Sequence, residues 1–475
     1  MATRPIDAFI GREEELGRLQ RALVGARSGH AALIAIRGRR RVGKSRLVEE
    51  FIERSGCPSV FYTAVLGPGP EELARFLEAV AVSDAPAGDE VRRGATANSW
   101  EAALALTARG ATRRMPVILV IDEFPYLVER EPTIEATLQM VWDRTFERRP
   151  LVVVLIGSDR ATMEALTEER RPLYDRAREM VVKPLDVSTI GQILDLSAAH
   201  ALDAYAVIGG FPVLALEWGR GRSRAEYLHD ALTDPSSFLV VSAERALAAE
   251  FPFDANARAV LSAVGSDARA HKTILSRSGL STTSLDRALQ LLTERGVVER
   301  RTPYSARAST KNPRYAVADP YMRFWLRFIG PSTDIIDRGR GRIVVDMVRT
   351  DFLTFRGRSI EPVIREAVER TLPDERFGSA RYVGGYWNRT GDIEVDLVGG
   401  DDVPVANTVS FIGSIKWRDD ETFHRADAGK LAGRRAEVPG VADDALLVGV
   451  SREGFDDDVQ LDVKLGPDDI VSVQC

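Results

Sequence analysis

Eight residues constrain the fold of this 475-residue chain more than any other stretch: Gly38-Arg39-Arg40-Arg41-Val42-Gly43-Lys44-Ser45, two glycines with four residues between them followed by Lys-Ser. The apolar segment Ala32-Leu33-Ile34-Ala35-Ile36 ahead of it reads as a buried strand, and Leu47, Val48 and Phe51 behind it recur at helical spacing. The order is strand, loop, helix. A turn of this kind points successive backbone N–H groups inward around a phosphate, and the following helix adds the positive end of its dipole. Lys44 is placed to reach the outer phosphates and Ser45 to ligate Mg²⁺. Gly38 through Arg46 therefore form a candidate triphosphate site. Arg39, Arg40 and Arg41 add positive charge that raises the local concentration of a polyanion.

A second run, Val117-Ile118-Leu119-Val120-Ile121-Asp122-Glu123, is apolar until it ends in two carboxylates. That is the pattern of a buried parallel strand with acids at its C-terminal edge. Asp122 is expected to hold Mg²⁺ through water, and Glu123 to orient or polarise the attacking water. A third run, Leu151 to Ile156, ends in Gly157-Ser158-Asp159, where a polar side chain can sense the γ-phosphate. With Val60-Phe61-Tyr62 and Met180-Val181-Val182 as further strands, residues 1–190 read as a doubly wound α/β core. Ser83 to Asn98, rich in Pro, Gly, Asp and Arg, reads as a surface loop.

The formal charge of −6 means that the chain as a whole does not attract nucleic acid, so any such affinity needs a local basic patch. Two cysteines, Cys57 and Cys475, and five scattered histidines support neither a disulfide framework nor a zinc site. The N-terminus has no signal-peptide pattern, and no run approaches the roughly 18 apolar residues of a membrane helix. The expectation is a cytoplasmic protein without membrane contact.

Beyond the core, residues 191–250 are helical in pattern and interrupted by Gly209-Gly210-Phe211-Pro212, which suggests a small helical lid. Residues 251–330 predict three helices (Ala257 to Val264, Thr273 to Ser278, and one from Thr282 or Thr283 with Leu285, Leu289 and Leu292 on one face), then a hairpin of Val297–Arg301 and Arg314–Val317. Three helices and a hairpin make a winged helix-turn-helix. Its wing carries Arg300, Arg301, Arg307, Lys311 and Arg314 against Glu299 and could lie on the phosphates of double-stranded DNA. The third helix offers only Arg287, Gln290 and Arg295 as long donors, opposed by Asp286 and Glu294, which argues against sequence-specific readout. Residues 331–350 read as a charged linker, and 351–475 as a separate α/β unit with a helix over Ile360–Leu372 and strands near 381–383, 393–398, 409–413 and 445–450.

With these elements in place the chain resembles the archaeal-type P-loop ATPases of the AAA/STAND group that carry a C-terminal restriction-endonuclease-like domain. The marks are Phe9-Ile10-Gly11-Arg12-Glu13-Glu14-Glu15-Leu16, the arginine-rich phosphate loop, Asp122-Glu123-Phe124-Pro125-Tyr126-Leu127, Gly157-Ser158, Pro172-Leu173-Tyr174-Asp175-Arg176, Gly209-Gly210-Phe211-Pro212 and Asp319-Pro320-Tyr321-Met322-Arg323-Phe324-Trp325. The resemblance implies Gly11 and Arg12 beside the base and Ser158 or Asp159 as first sensor. It also implies Gly210 and Pro212 as a lid motif touching the nucleotide, and Arg176 (or Arg178) as an arginine finger that a second copy of the chain could supply. Asp175 stands where glycine is expected. In the C-terminal domain the PD-(D/E)xK pattern places Glu361, Asp396 and Lys416 around a metal, with Ser414 where a second acid belongs and Glu394 on the face of Asp396 as its substitute. A serine hydroxyl replaces a carboxylate poorly as a metal ligand, so this site is expected to be a remnant. The reading is a Mg²⁺-dependent ATPase whose nucleotide state rearranges lid, winged helix and nuclease-like domain. The alternatives are a slow nucleotide-switch binding module and an ATP-gated DNA nuclease. ATP is expected rather than GTP, because the resemblance implies it and no Asn-Lys-x-Asp guanine motif occurs.

Overall fold

The computed structural model describes residues 9–65, 69–251, 254–304 and 312–473, which divide between Pro184 and Leu185 into two compact units. Arg307 and Lys311 of the expected wing, and Cys475, lie outside the described residues.

The first unit is built on a five-stranded sheet of β1 (Ala32–Arg37), β2 (Ser59–Thr63), β3 (Val117–Asp122), β4 (Leu151–Gly157) and β5 (Ala177–Val181), parallel throughout and ordered β2-β3-β4-β1-β5. Every residue of β3 and β4 is buried. Helices on both faces explain why these strands are unbroken apolar runs rather than alternating ones. The register sets Arg37 beside both Gly157 and Val181, and Thr63 beside Asp122. The phosphate loop, Asp122-Glu123 and Ser158-Asp159 thus all leave the same C-terminal edge, where open α/β sheets bind ligands.

The expected surface loop over residues 83–98 instead contains a helix, Pro86–Arg92. Pro86 occupies the first turn, where its missing N–H leaves nothing unsatisfied. A side chain at Gly88 would come within 2.8 Å of the Val80 carbonyl oxygen, so this helix packs through its smallest residues. Its apolar face consequently left no periodic signal.

The second unit opens with five helices, Val187–Leu194, Ala198–Ile208, Pro212–Trp218, Arg224–Thr233 and Phe238–Glu250. Helix Ala255–Val264, strand β6 (Arg269–Ala270) and helices His271–Ser278 and Thr282–Glu294 follow, then strands β7 (Val298–Arg301) and β8 (Arg314–Val317). The three strands form an antiparallel sheet ordered β6-β8-β7. Leu285, Leu289 and Leu292 are buried together on one helix face, as their spacing requires.

The segment expected to be a linker is helical. Thr333–Asp337 is a short helix, and a 31-residue helix runs from Gly341 to Thr371. A Cβ at Gly341 would sit 1.9 Å from the carbonyl oxygen of Leu232, so glycine is what lets this helix begin against Arg224–Thr233. The last sheet holds β9 (Tyr382–Trp387), β10 (Glu394–Gly400), β11 (Val409–Lys416), β12 (Val441–Ser451) and β13 (Val463–Leu465), ordered β13-β12-β11-β10-β9. Strands β9 to β11 are antiparallel neighbours, whereas β12 and β13 run parallel to β11. Helix Arg425–Gly433 lies between β11 and β12 in sequence.

Three sets of contacts join what the sequence divided into lid, winged helix, linker and C-terminal domain. Phe211 and Tyr321 rings meet edge to face at 5.9 Å, and the Tyr321 hydroxyl donates to the Leu239 carbonyl at 2.9 Å. Buried Arg323 donates to the Val317 carbonyl at 2.6 Å. The Gly209–Pro212 and Asp319–Trp325 motifs therefore brace one another. The roots of the wing, in turn, lie on β9. The Tyr304 backbone N–H donates to the Gly385 carbonyl at 2.9 Å, the Trp387 indole donates to the Asn312 carbonyl at 3.0 Å, and Arg314 sits 4.7 Å above the Trp387 ring.

The third set is a buried charge cluster. Asp203, on helix Ala198–Ile208, accepts from Arg356 at 3.1 Å, from Arg452 at 3.3 Å, from Arg224 at 3.5 Å and from the Trp417 indole at 3.3 Å. Arg356 is completely buried and also pairs with Asp419 at 2.8 Å. Among the described residues no single helix is long and apolar enough to cross a membrane.

Candidate functional site

The phosphate loop uses its glycines for two different reasons. A side chain at Gly38 would strike the Val182 carbonyl oxygen at 2.3 Å, whereas Gly43 adopts a φ of 90° immediately before helix Lys44–Ser55. Lys44 is buried, and its Nζ donates to the carbonyls of Gly38 at 2.9 Å and Arg39 at 3.0 Å, closing the loop on itself. Ser45 Oγ donates to Asp122 Oδ2 at 2.7 Å. Glu123 has a φ of 51°, and its backbone N–H donates to Asp122 Oδ1 at 2.9 Å. Ser158 Oγ donates to Glu123 Oε2 at 3.2 Å. Asp159 instead caps helix Arg160–Ala165 by accepting from the Thr162 N–H at 2.7 Å. Ser158, not Asp159, is thus the group aimed at Glu123.

Around the loop, Gly11 and Arg12 both have positive φ, and Arg12 donates to the Val42 carbonyl at 3.0 Å while pairing with Glu15 at 3.1 Å. Arg46 pairs with Glu50 along its own helix at 2.8 Å. Arg40 donates to the Tyr126 hydroxyl. Sequence reasoning gave Tyr126 no role in the site. Its signal was its place three residues after Glu123, in the seven-residue helix Phe124–Arg130 that begins directly after Glu123.

Burial lowers the Lys44 pKa to about 8, with Arg40 pushing the same way and the carboxylates of Glu123 and Asp122 opposing. A bound triphosphate would hold the proton on. Above pH 8 the complex then carries more protons than the free site, so affinity should fall as pH rises, approaching about tenfold per pH unit. Dissociation constants for ATP measured from roughly pH 7 to 9.5 check this; a flat profile would contradict it.

Arg176 lies at the other end of the sheet. It directly precedes Ala177, which stands opposite Leu33, whereas the phosphate loop leaves β1 after Arg37. At about 3.3 Å per residue the separation along the strands is about 16 Å. Asp143 holds its guanidinium at 2.7 and 2.9 Å. Within its own chain Arg176 is therefore out of reach of the phosphates. Arg178 stands opposite Ile34, also well back from the edge. Asp175 has a φ of 62°, the left-handed conformation that glycine takes freely and Asp tolerates. Pro212 occupies the first turn of helix Pro212–Trp218 in the second unit.

The C-terminal candidates are brought near one another, with a cation among them that the sequence reading had missed. Arg365 donates to Glu361 Oε2 at 2.9 Å and to the Asp396 carbonyl at 2.6 Å. Asp396 Oδ2 accepts from Ser414 Oγ at 3.1 Å and from the Ile415 N–H at 2.8 Å. Burial drives the Glu361 pKa upward, with Arg365 opposing and Asp396 and Glu394 adding to the rise. Glu394, read as a partial substitute for the missing acid, has a partner of its own. The β10 register shifts between Val395 and Val398, and Glu394 is paired with Arg314 at 2.8 Å. Lys416 lies 3.9 Å from Asp427. Among the described residues no group of three or more His, Cys, Asp or Glu is placed to hold a metal ion.

Residues 325–430, which include these side chains, match a family of archaeal and bacterial proteins of unknown function. An uncharacterized protein of Methanocaldococcus jannaschii is 24% identical over 420 residues, covering 86% of this chain and 88% of its own length. Among solved structures, a Walker-type ATPase of Pyrococcus abyssi aligns at 19% identity over 69% of this chain and 98% of its own, with a TM-score of 0.46. The ORC2 protein of Aeropyrum pernix aligns at 12% identity over 73% and 97%, with a TM-score of 0.45. Residues 9–213, which carry the phosphate loop, Asp122, Glu123 and Ser158, match a family described as an ATPase domain predominantly from Archaea.

Proposed function

We propose that this chain is a Mg²⁺-dependent ATPase that uses ATP binding and hydrolysis to switch conformation. The observation that carries this reading is the meeting, at one sheet edge, of the Lys44 loop, the Ser45–Asp122 pair at 2.7 Å and Glu123 held by Ser158. The match of residues 9–213 to an archaeal ATPase domain supports it. A hydroxyl beside a carboxylate is a donor set suited to Mg²⁺, which takes few protein oxygens and completes its shell with phosphates and water. Ser45 and Asp122 would hold the ion, which when bound neutralises phosphate charge.

In the reaction the water oxygen forms a bond to Pγ while the bond from Pγ to the β–γ bridging oxygen breaks. The electron pair of that bond leaves with ADP, and the water proton passes to Glu123. Lys44 binds the phosphates in the ground state; Ser158 fixes the Glu123 carboxylate. Phosphate release by purified protein, with ATP and GTP compared, tests the reading. No release and no ATP binding would end it.

Nothing in the C-terminal geometry favours the nuclease alternative, because Arg365 already sits between Glu361 and the Asp396 strand. The native protein is expected not to cleave DNA with Mg²⁺. Cleavage that disappears in Asp396→Ala would overturn this. In the wing, Arg301 pairs with Glu299 at 2.8 Å and Arg314 with Glu394.

A further inference from the structure

An ATPase site gains speed from a guanidinium at the γ-phosphate, where charge develops during transfer. Arg176 of the same chain cannot supply one, because it lies about 16 Å back along the sheet. Four other arginines around the C-terminal edge are paired with carboxylates. Arg12 pairs with Glu15, Arg37 with Glu164 and Glu179, Arg46 with Glu50, and Arg160 with Glu164. Arg40 differs from these four: its hydrogen-bond partner is the neutral Tyr126 hydroxyl, and no carboxylate among the described residues is paired with it.

Its position also fits. Arg40 lies in the phosphate loop itself, near enough to Lys44 for its charge to disfavour the Lys44 proton. Tyr126 belongs to the helix that begins directly after Glu123, and its N–H donates to the Glu123 carbonyl at 2.9 Å. One short turn therefore carries both the group that acts on the water and the group that aims Arg40.

Resting on the ATPase reading, we infer that Arg40 is the γ-phosphate cation of this site, supplied by the chain's own phosphate loop, and that Tyr126 is its positioning residue. As the Pγ–O bond to the bridging oxygen breaks and the water oxygen bonds to Pγ, the guanidinium stabilises the charge spreading over the γ oxygens, and no proton moves to or from it. A cation supplied from within the loop makes each copy of the chain self-sufficient.

The test separates kcat from KM in the full-length protein. Arg40→Ala should lower kcat about a thousandfold, the scale of an arginine finger, with KM for ATP changed only a few-fold. Arg40→Lys should recover little, because a point charge does not reproduce the planar fork. Tyr126→Phe, which removes one hydroxyl, should lower kcat about tenfold at unchanged KM, as expected when only the aim of a transition-state group is lost. Native protein should trap ADP with aluminium fluoride, and Arg40→Ala should not, while both still bind ATP. Specific activity should not depend on protein concentration.

Equal trapping by native and Arg40→Ala protein, or an unchanged kcat in that variant, overturns the inference. Activity recovered on mixing inactive Lys44→Ala with Arg176→Ala chains overturns it too, since the cation would then come from a neighbour. Native protein that fails to bind ATP sinks the ATPase reading itself. Native turnover abolished by Glu123→Gln but untouched by Arg40→Ala sinks only the inference.

Discussion

Glu123→Gln should bind ATP with near-native affinity and turn it over at least about a hundredfold more slowly, the scale of a lost general base. Lys44→Ala should fail one step earlier and lose binding itself. The two residues sit at one edge but act on different states. Lys44 closes the loop through the Gly38 and Arg39 carbonyls and offers its charge to phosphates already present in the ground state. Glu123 touches neither loop carbonyl; Ser158 holds its carboxylate beside Asp122, where only the attacking water needs it. Gln keeps the size and can still accept from Ser158, so a fall in kcat without a fall in affinity isolates proton transfer. ATP binding by equilibrium titration and phosphate release in steady state read the two effects separately. A Glu123→Gln enzyme with native turnover would remove Glu123 as the base.

The largest stability effect is expected in the second unit, at Asp203. Its carboxylate faces Arg224, Arg356 and Arg452, with Asp419 as the other acid bonded to Arg356 and Arg452. Replacing Asp203 by Ala leaves Arg224 without its carboxylate partner and leaves wholly buried Arg356 to share Asp419 with Arg452. An uncompensated buried charge costs about 3–5 kcal/mol. In a chain of this size that corresponds to a fall on the order of 10 °C in the melting temperature of the second unit. Asp203→Asn should fall between native and Ala, since an amide oxygen can still accept from the Trp417 indole while the charge is lost. Thermal melts of the three full-length proteins test this, and an Ala variant that melts with the native chain would contradict it.

What the sequence made legible were features written in consecutive residues. The phosphate loop, the acids ending β3 and the leucine stripe of Thr282–Glu294 all follow from local pattern, because each needs only its neighbours to be recognised. What was not legible has a common physical origin in distance along the chain. Nothing near Arg176 says that β5 pairs with β1 in a register that sets it at the far edge. The charged stretch 331–350 read as a linker because its buried side, with Val344 and Val348, is narrow and its closest approach is made by a glycine. Glu394 alternates correctly with Asp396 on paper; the register shift in β10 and a partner 80 residues earlier decide its fate. Arg365 was hidden for the opposite reason, as an ordinary i,i+4 partner of Glu361 on a helix rich in charge.

The seating of the wing on β9 has a consequence for the life of the protein in a crowded solution. An outermost strand with two adjacent glycines, Gly384 and Gly385, offers bare backbone donors and acceptors to any extended peptide, and such rims seed aggregation. Tyr304 takes the Gly385 carbonyl for its own N–H, and its side chain covers Gly384 so closely that a Cβ there would lie 2.5 Å away. The hairpin thus acts as a stopper on the rim. Variants that loosen it should be judged first by solubility, since protein lost to clumping would mimic a loss of activity.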